Sequence, residues 1–468
     1  MTPDAALRRI VPTMGWHADR LKTIRFTGGA DPVLPTPFCI GAAGAAALAA
    51  TGLAASDLWE LRTGRHQQIT VDLHQATASL RGGRYMSFED GRERDQQHPI
   101  MGVYPTKDGR WSYIHANFPN HLAAALAVLG CDATPEAVAA ALTRWKALDF
   151  EEALIAAKGA GAMVRSRAEW AAHPQGQAIA ALPLLEIIRA GDSPPEPLPA
   201  GDRPLSGVRV LDLTRLLAGP VCGRTLAEHG AEVMKITAPH LPQMGYEDAD
   251  TSHGKLSAQL DLRVPRDQER LRHLVRDADV FLQGYRPGAL DARGFTSQAL
   301  HALRPGLVHL SVCAFSHQGP WASRRGFDTV VQAVSGLAVR QAEAVPAPRP
   351  GPQFYPVSAI DYCSGYLLAA GAMVALKRRA VEGGSWLVRL SLAQVGKWIA
   401  DLGEVPASAL HDVQPEFPPA DIERWSTVTD TPQGRMRHLK PVVQMSETPG
   451  EWTRPAVPLG YHRPEWPT

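Results

Sequence analysis

Asp361 is the residue with the most chemical promise in this chain of 468 residues. It stands where an extended lead, PVSAI (356–360), meets a run of small residues, DYCSGYLLAAGAMVAL (361–376), that predicts a close-packed helix. A carboxylate at such a junction has two uses. It caps the helix by accepting from free amides, the common role of Asp in this position. Or it attacks an activated carbonyl, because a carboxyl with an ordinary pKa near ~3.9 is already ionised at neutral pH and needs no separate base. First-turn N–H groups beside it point to oxyanion stabilisation. The local pattern leaves both roles open and leans to the cap.

Other chemistries lack their residues. No GxGxxG follows the first predicted strand, and no GxxxxGK[ST] or GxSxG occurs. No HExxH or CxxC occurs, so no metal site is expected. The 17 histidines are scattered and read as surface or hydrogen-bonded residues. Five cysteines, odd in number and far apart, argue against a disulfide framework and suit a reducing cytoplasm. Lys plus Arg is 48 against 47 for Asp plus Glu, a balance that suggests neither a nucleic-acid nor a membrane partner. The opening residues lack a basic end followed by an apolar run, so no signal peptide is expected. The uncharged stretch 40–56 falls short of the about 20 residues a membrane span needs, and its Ala and Gly suit a buried helix.

The elements that must position Asp361 follow from the alternation of patterns. A chain this long predicts two or more domains. The Pro-rich acidic stretch 192–204 reads as a linker, giving units 1–200 and 201–468. After it, strands at 208–213, 233–236, 280–284 and 308–312 alternate with helices at 222–230, 265–279 and around 297–303. That order predicts an α/β fold with a parallel-sheet core of nucleotide-binding type. The first unit differs. Residues 101–116 read as a hairpin turning at Lys107-Asp108-Gly109, followed by helices over 120–130 and 134–147, a smaller α+β unit. The chain also echoes itself. Residues 35–76 and 356–395 each show an extended lead, a small-residue helix, a Gly turn and an alternating strand.

Several segments in one order carry a resemblance. PLSGVRVLDLTRLLAGPVCGRTLAEHGAEVMKI (204–236), GKLSAQLDLR (254–263), ADVFLQGYRPGALDARGF (278–295), GFDTVVQAVSGL (326–337), VSAIDYCSGYLLAAGAMVAL (357–376) and PLGYHRPEW (458–466) resemble the family III CoA-transferases. Residues 62–76 and 102–111 resemble later portions of the same family, so the chain reads as pieces of two members joined. The resemblance implies a Rossmann-like CoA-binding core and Asp361 as nucleophile. It implies acyl-CoA and carboxylic acid substrates, coenzyme A as substrate with no metal or redox cofactor, and a homodimer of interlocked chains. In the first piece Ile40 to Ala42 stand where Asp361 stands in the second, so one active aspartate per chain is expected.

CoA contacts are implied residue by residue. Leu217 and Ala218 match the loop after the first strand, and Leu260 through Arg263 match the LDLK stretch, with Arg263 a phosphate partner. Gly284 and Tyr285 match an Asn-Phe pair, and Arg293 lies one place beyond the usual Arg. Ala238 and Ala292 replace basic residues of the family pattern. The family's racemases resemble the chain at Asp361 too, but they carry His before the Asp of the GxD motif. Here Phe327 precedes Asp328, so two-sided proton transfer lacks its second group. A CoA-binding protein with little turnover is the remaining alternative.

Overall fold

The structure, a computed structural model, describes residues 1–94, 96–346 and 350–467. Its main sheet has seven strands in the spatial order Lys255–Gln259, Glu232–Thr237, Arg209–Leu213, Val280–Gln283, Val308–Cys313, Ser385–Ser391 and Glu186–Gly191. The first six run parallel and the last is antiparallel. Parallel strands are covered on both faces, which is why Val210, Leu211, Val280, Phe281, Leu282 and Leu310 form near-continuous apolar runs and are all fully buried. The expected Rossmann-like α/β core is present.

One helix differs from expectation in a way that shapes the site. The helix read from Cys222 begins four residues earlier, at Ala218. Gly219 and Pro220 look like loop residues, but a proline in the first turn loses nothing, because the amides there have no intrahelical partner.

The smaller α+β unit holds the antiparallel strands Gly102–Pro105, Trp111–Ile114 and Gly161–Met163. Its helices are Pro119–Leu129, Pro135–Leu142 and Ala147–Ala156. The helix expected over 134–147 divides there, and the side chain of Asp108 accepts from the amide of Ala147 at 3.2 Å.

Two 24-residue helices, Ile40–Thr63 and Ala359–Glu382, pack together at the centre. Each is long and apolar enough to cross a membrane, yet each lies buried in the core. Helix Ala218–Glu228 packs on the second at Gly365, where an added Cβ would lie 2.6 Å from the carbonyl oxygen of Ala218. Strands also cross between the two ends of the chain. Gln444–Met445 pairs with Ile69–Asp72, Gly434–Leu439 pairs with Ser87–Phe88, and Glu186–Gly191 closes the large sheet against Ser385–Ser391.

Candidate active site

From Arg209–Leu213 the chain first builds outward to Glu232–Thr237, then returns to the other side at Val280–Gln283. The crevice beyond the carboxyl ends of strands at such a reversal is where open α/β sheets bind ligands. A cavity of about 630 Å³ opens there, bordered by Leu213 to Gly219, Gly284 to Arg286 and Val312 to Ala314. Asp361 lines it. A groove of about 150 Å³ continues past Tyr285, and the two spaces share Leu213, His240, Leu241 and Tyr285.

Asp361 is half-buried and is the third residue of its helix, not the cap. Capping falls to Asp328, 33 residues away, whose Oδ2 accepts from the amide of Asp361 at 3.1 Å. Asp328 also accepts from Ile360 and from the side-chain amide of Gln332. These amides are therefore engaged, and the oxyanion role expected of them does not hold in this arrangement. The expectation of an ordinary carboxyl is corrected as well. Burial first, and the Asp328 carboxylate second, push the pKa of Asp361 well above the usual range. Burial raises Asp328 to about 6 against the pull of its three hydrogen bonds.

The loop facing Asp361 is held from below. Asp212 is fully buried and accepts from the amide of Thr214 at 3.0 Å and from Lys255 Nζ at 2.8 Å. Lys255 also donates to the carbonyl of Pro220 at 2.8 Å, and Lys235 donates to that of Thr214. The loop 214–217 and the first helical turn after it are thus tied at both ends to buried ammonium groups. Burial alone would raise Asp212, but the two lysines outweigh it and hold the carboxyl below its usual range. Between the ties Leu216 adopts φ 67°, a left-handed conformation costing a bulky residue on the order of 1–3 kcal/mol.

The structure gathers Asp361 and the residues expected to contact CoA around these two spaces. Leu217, Ala218, Gly284 and Tyr285 line the cavity with Asp361, and Leu260, Arg263, Tyr285 and Arg293 line the groove. Leu217 caps helix Ala218–Glu228 and offers its first amides no side-chain hydrogen bond. Arg263 is exposed and paired with Asp261 at 2.6 Å, so its charge is partly answered within the chain. Arg293 is exposed.

Sequence reasoning missed four residues. Arg215, Arg286 and Arg325 line the cavity, and among the described residues none of the three forms an ion pair. Between them lies His121, from the start of helix Pro119–Leu129, buried with its Nδ1 unpartnered. Burial, then Arg325, Arg215 and Arg286, push it down to about 4, so it is neutral at physiological pH. Arg286 was within reach of reading, since it belongs to the GYRPG stretch. Phe327, which stands where a racemase-like chain has His, stacks on His115 with ring centroids 3.8 Å apart.

The same cap recurs at the other long helix. The carboxyl of Asp31 accepts from Gly41 at 3.0 Å and Ala42 at 2.8 Å, as Asp328 does from Ile360 and Asp361. Superposing these contacts puts Ala42 at the position of Asp361.

A model of the family described as CoA-transferase family III matches residues 23–194 and again 205–403, more than half the chain. The acetyl-coenzyme A transferase nodX of Hypoxylon pulicicidum is 30% identical over 70% of this chain and 56% of its own length. An acyl-CoA transferase of Gibberella moniliformis is 27% identical over 96% and 92%. The succinyl-CoA–D-citramalate CoA-transferase of Chloroflexus aurantiacus is 35% identical over 41% and 49%. The chain spans about half the length of several of the curated relatives it matches. Among solved structures, a hypothetical protein from Mycobacterium tuberculosis is 32% identical over 43% of this chain and 57% of that one, with a TM-score of 0.40.

Proposed function

The chain belongs to CoA-transferase family III, and from that premise we propose that it moves coenzyme A between carboxylic acids through covalent intermediates on Asp361. The carboxylate oxygen of Asp361 attacks the thioester carbonyl. The C–S bond breaks, giving an aspartyl–acyl mixed anhydride and CoA thiolate. The thiolate then attacks the aspartyl carbonyl, releasing the first acid as its carboxylate and leaving an aspartyl-CoA thioester. A second acid takes the CoA by the reverse steps. No net proton is consumed, but Asp361 must first lose its own. Its raised pKa therefore favours alkaline conditions for the first attack.

The observation that carries this reading is a carboxyl lining a cavity that runs into a groove, with Arg215, Arg286 and Arg325 in no ion pair and Asp361 the one carboxyl among the cavity's described lining residues. Guanidiniums suit phosphate oxygens, so we assign Arg215, Arg286 and Arg325 to the CoA phosphates. Tyr285 stands at the passage to the groove, where Leu260 supplies an apolar surface. The uncapped first amides of helix Ala218–Glu228 face the same cavity and suit an anion or oxyanion. The first unit lends side chains to the cavity wall but has Ala42 in place of a nucleophile, so each chain carries one active aspartate.

The test is trapping. Incubation with an acyl-CoA followed by hydroxylamine should convert Asp361 to a hydroxamate, found by mass spectrometry on the peptide that contains it. Asp361→Ala should abolish both the adduct and transfer of labelled CoA. Full transfer by that variant would remove Asp361 from the mechanism.

A further inference from the structure

A larger cavity, about 940 Å³, lies beside the first one, and Leu217 borders both. Asp328, Ser358 and Tyr362, the neighbours of Asp361, line it. Part of its wall is apolar, from Met101, Val103, Phe354 and Val357, and part is basic, from Arg81, Arg84 and Arg94.

The basic part is built. Arg81 is buried, donates from Nε to the hydroxyl of Tyr85 at 2.7 Å, and lies over the rings of Tyr85 and Phe417 at 5.3 and 5.4 Å. Its terminal nitrogens reach the carbonyl of Pro415 and the carboxylate of Glu416, each at 3.2 Å. Arg84 pairs with that same Glu416, so one exposed carboxylate serves two guanidiniums. Arg94 donates to the carbonyl of Arg84 at 2.9 Å and has no ion pair among the described residues. Of the acids lining the cavity, Asp250 is engaged by Arg224 at 2.9 Å and by the hydroxyl of Tyr362 at 3.3 Å, and Asp328 by the helix amides. Glu247 is the third.

We infer that this cavity selects an acid bearing a second carboxylate, its reacting carboxyl toward Asp361 and its other one held by Arg84 and Arg94 beside the buried Arg81. The inference rests on the CoA-transfer reading above. Carbonyl oxygens orient a guanidinium without cancelling its charge, so Arg94 and the shared pair retain attraction for an anion. Guanidinium forks match a carboxylate in geometry. The apolar wall suits a methylene spacer, and a two- or three-carbon acid would leave most of the volume to water.

The experiment compares acids of equal carbon number as CoA acceptors: adipate with hexanoate, and pimelate with heptanoate. The parent chain should favour each diacid by about tenfold or more in kcat/KM, as a site built for a polar group rejects the analogue lacking it. In Arg84→Gln/Arg94→Gln the ratio should fall toward one, and in Arg94→Gln alone, at an exposed position, it should fall part of the way. Equal use of both acids by the parent, with the Asp361 adduct still formed, overturns the inference and leaves CoA transfer standing. A preference that survives the double substitution overturns it equally. No exchange and no adduct with any acid overturns both.

Discussion

Replacing Asp328 by Asn separates the electrostatic cost of a buried carboxylate from its value as a cap. Burial raises the Asp328 pKa from 3.8 to about 6. A raised folded-state value means that the folded chain holds the proton more tightly than the unfolded chain. The fold is therefore least penalised below the unfolded value, and the penalty grows as pH rises, levelling off above the folded value. A shift of about two units corresponds to about 3 kcal/mol at pH 8 and roughly half of that at pH 5. Asn never ionises and escapes this term. It loses one acceptor, since its amide nitrogen must face either Gln332 or the helix N–H groups, at a cost of about 1 kcal/mol. The expected outcome is that Asp328→Asn is more stable than the parent by about 2 kcal/mol at pH 8, an advantage that is largely lost at pH 5. Urea unfolding at the two values measures it. An advantage that is independent of pH, or that grows on acidification, refutes the reasoning.

Further outcomes follow from the same geometry. The rate of adduct formation at Asp361 should rise with pH along a limb lying above the ordinary carboxyl range, because burial and Asp328 hold its proton; a profile flat from pH 5 upward contradicts this. Arg286→Ala with Arg325→Ala should raise KM for acyl-CoA by roughly 10- to 100-fold with a smaller change in kcat, and should weaken the dependence of KM on salt. Propanoyl-CoA held with the enzyme in deuterium oxide should gain no deuterium at C2; incorporation would bring His121 and Asp361 together as a proton-transferring pair and favour the racemase alternative. Gly365→Ala should cost about 1–3 kcal/mol, since its methyl would press on the Ala218 carbonyl, and transfer should fall as the cavity loop shifts.

What was legible in the sequence is what local pattern and ordered motifs can carry. The strands Arg209–Leu213, Glu232–Thr237, Val280–Gln283 and Val308–Cys313 announced themselves as apolar runs between helical stretches, and their order implied a parallel sheet, while the edge strand Lys255–Gln259 went unread. Asp361 and the positions expected to contact CoA could be read because they lie inside contiguous stretches. The charge state of Asp361 was not legible. It depends on Asp328, which touches the helix from 33 residues away and has no periodicity in common with it. Nor were the cavity arginines legible as a group, because Arg215, Arg286 and Arg325 come from three separate loops and look like solvated charges in any window. The strand Glu186–Gly191 was missed as part of the main sheet for a related reason. Its partner Ser385–Ser391 lies about two hundred residues away, and edge pairing leaves no local mark.

The paired caps at Asp31 and Asp328 suggest why one long helix kept a carboxyl in its first turn and the other did not. Both helices begin inside the core, where free amides would cost about 1–3 kcal/mol each, so a capping acid is needed at both. The acid three residues into the helix meets no such need. At Asp361 it sits against another carboxyl and is raised by burial, an arrangement that works against folding at neutral pH. At Ala42 the same position is fully buried, and the adjacent Gly41 lies so close to Asp31 that an added Cβ would come within 2.6 Å of its Oδ1. A destabilising carboxyl beside an open cavity, absent where the core is closed, fits the nucleophile proposed for it and has no counterpart in the demands of packing.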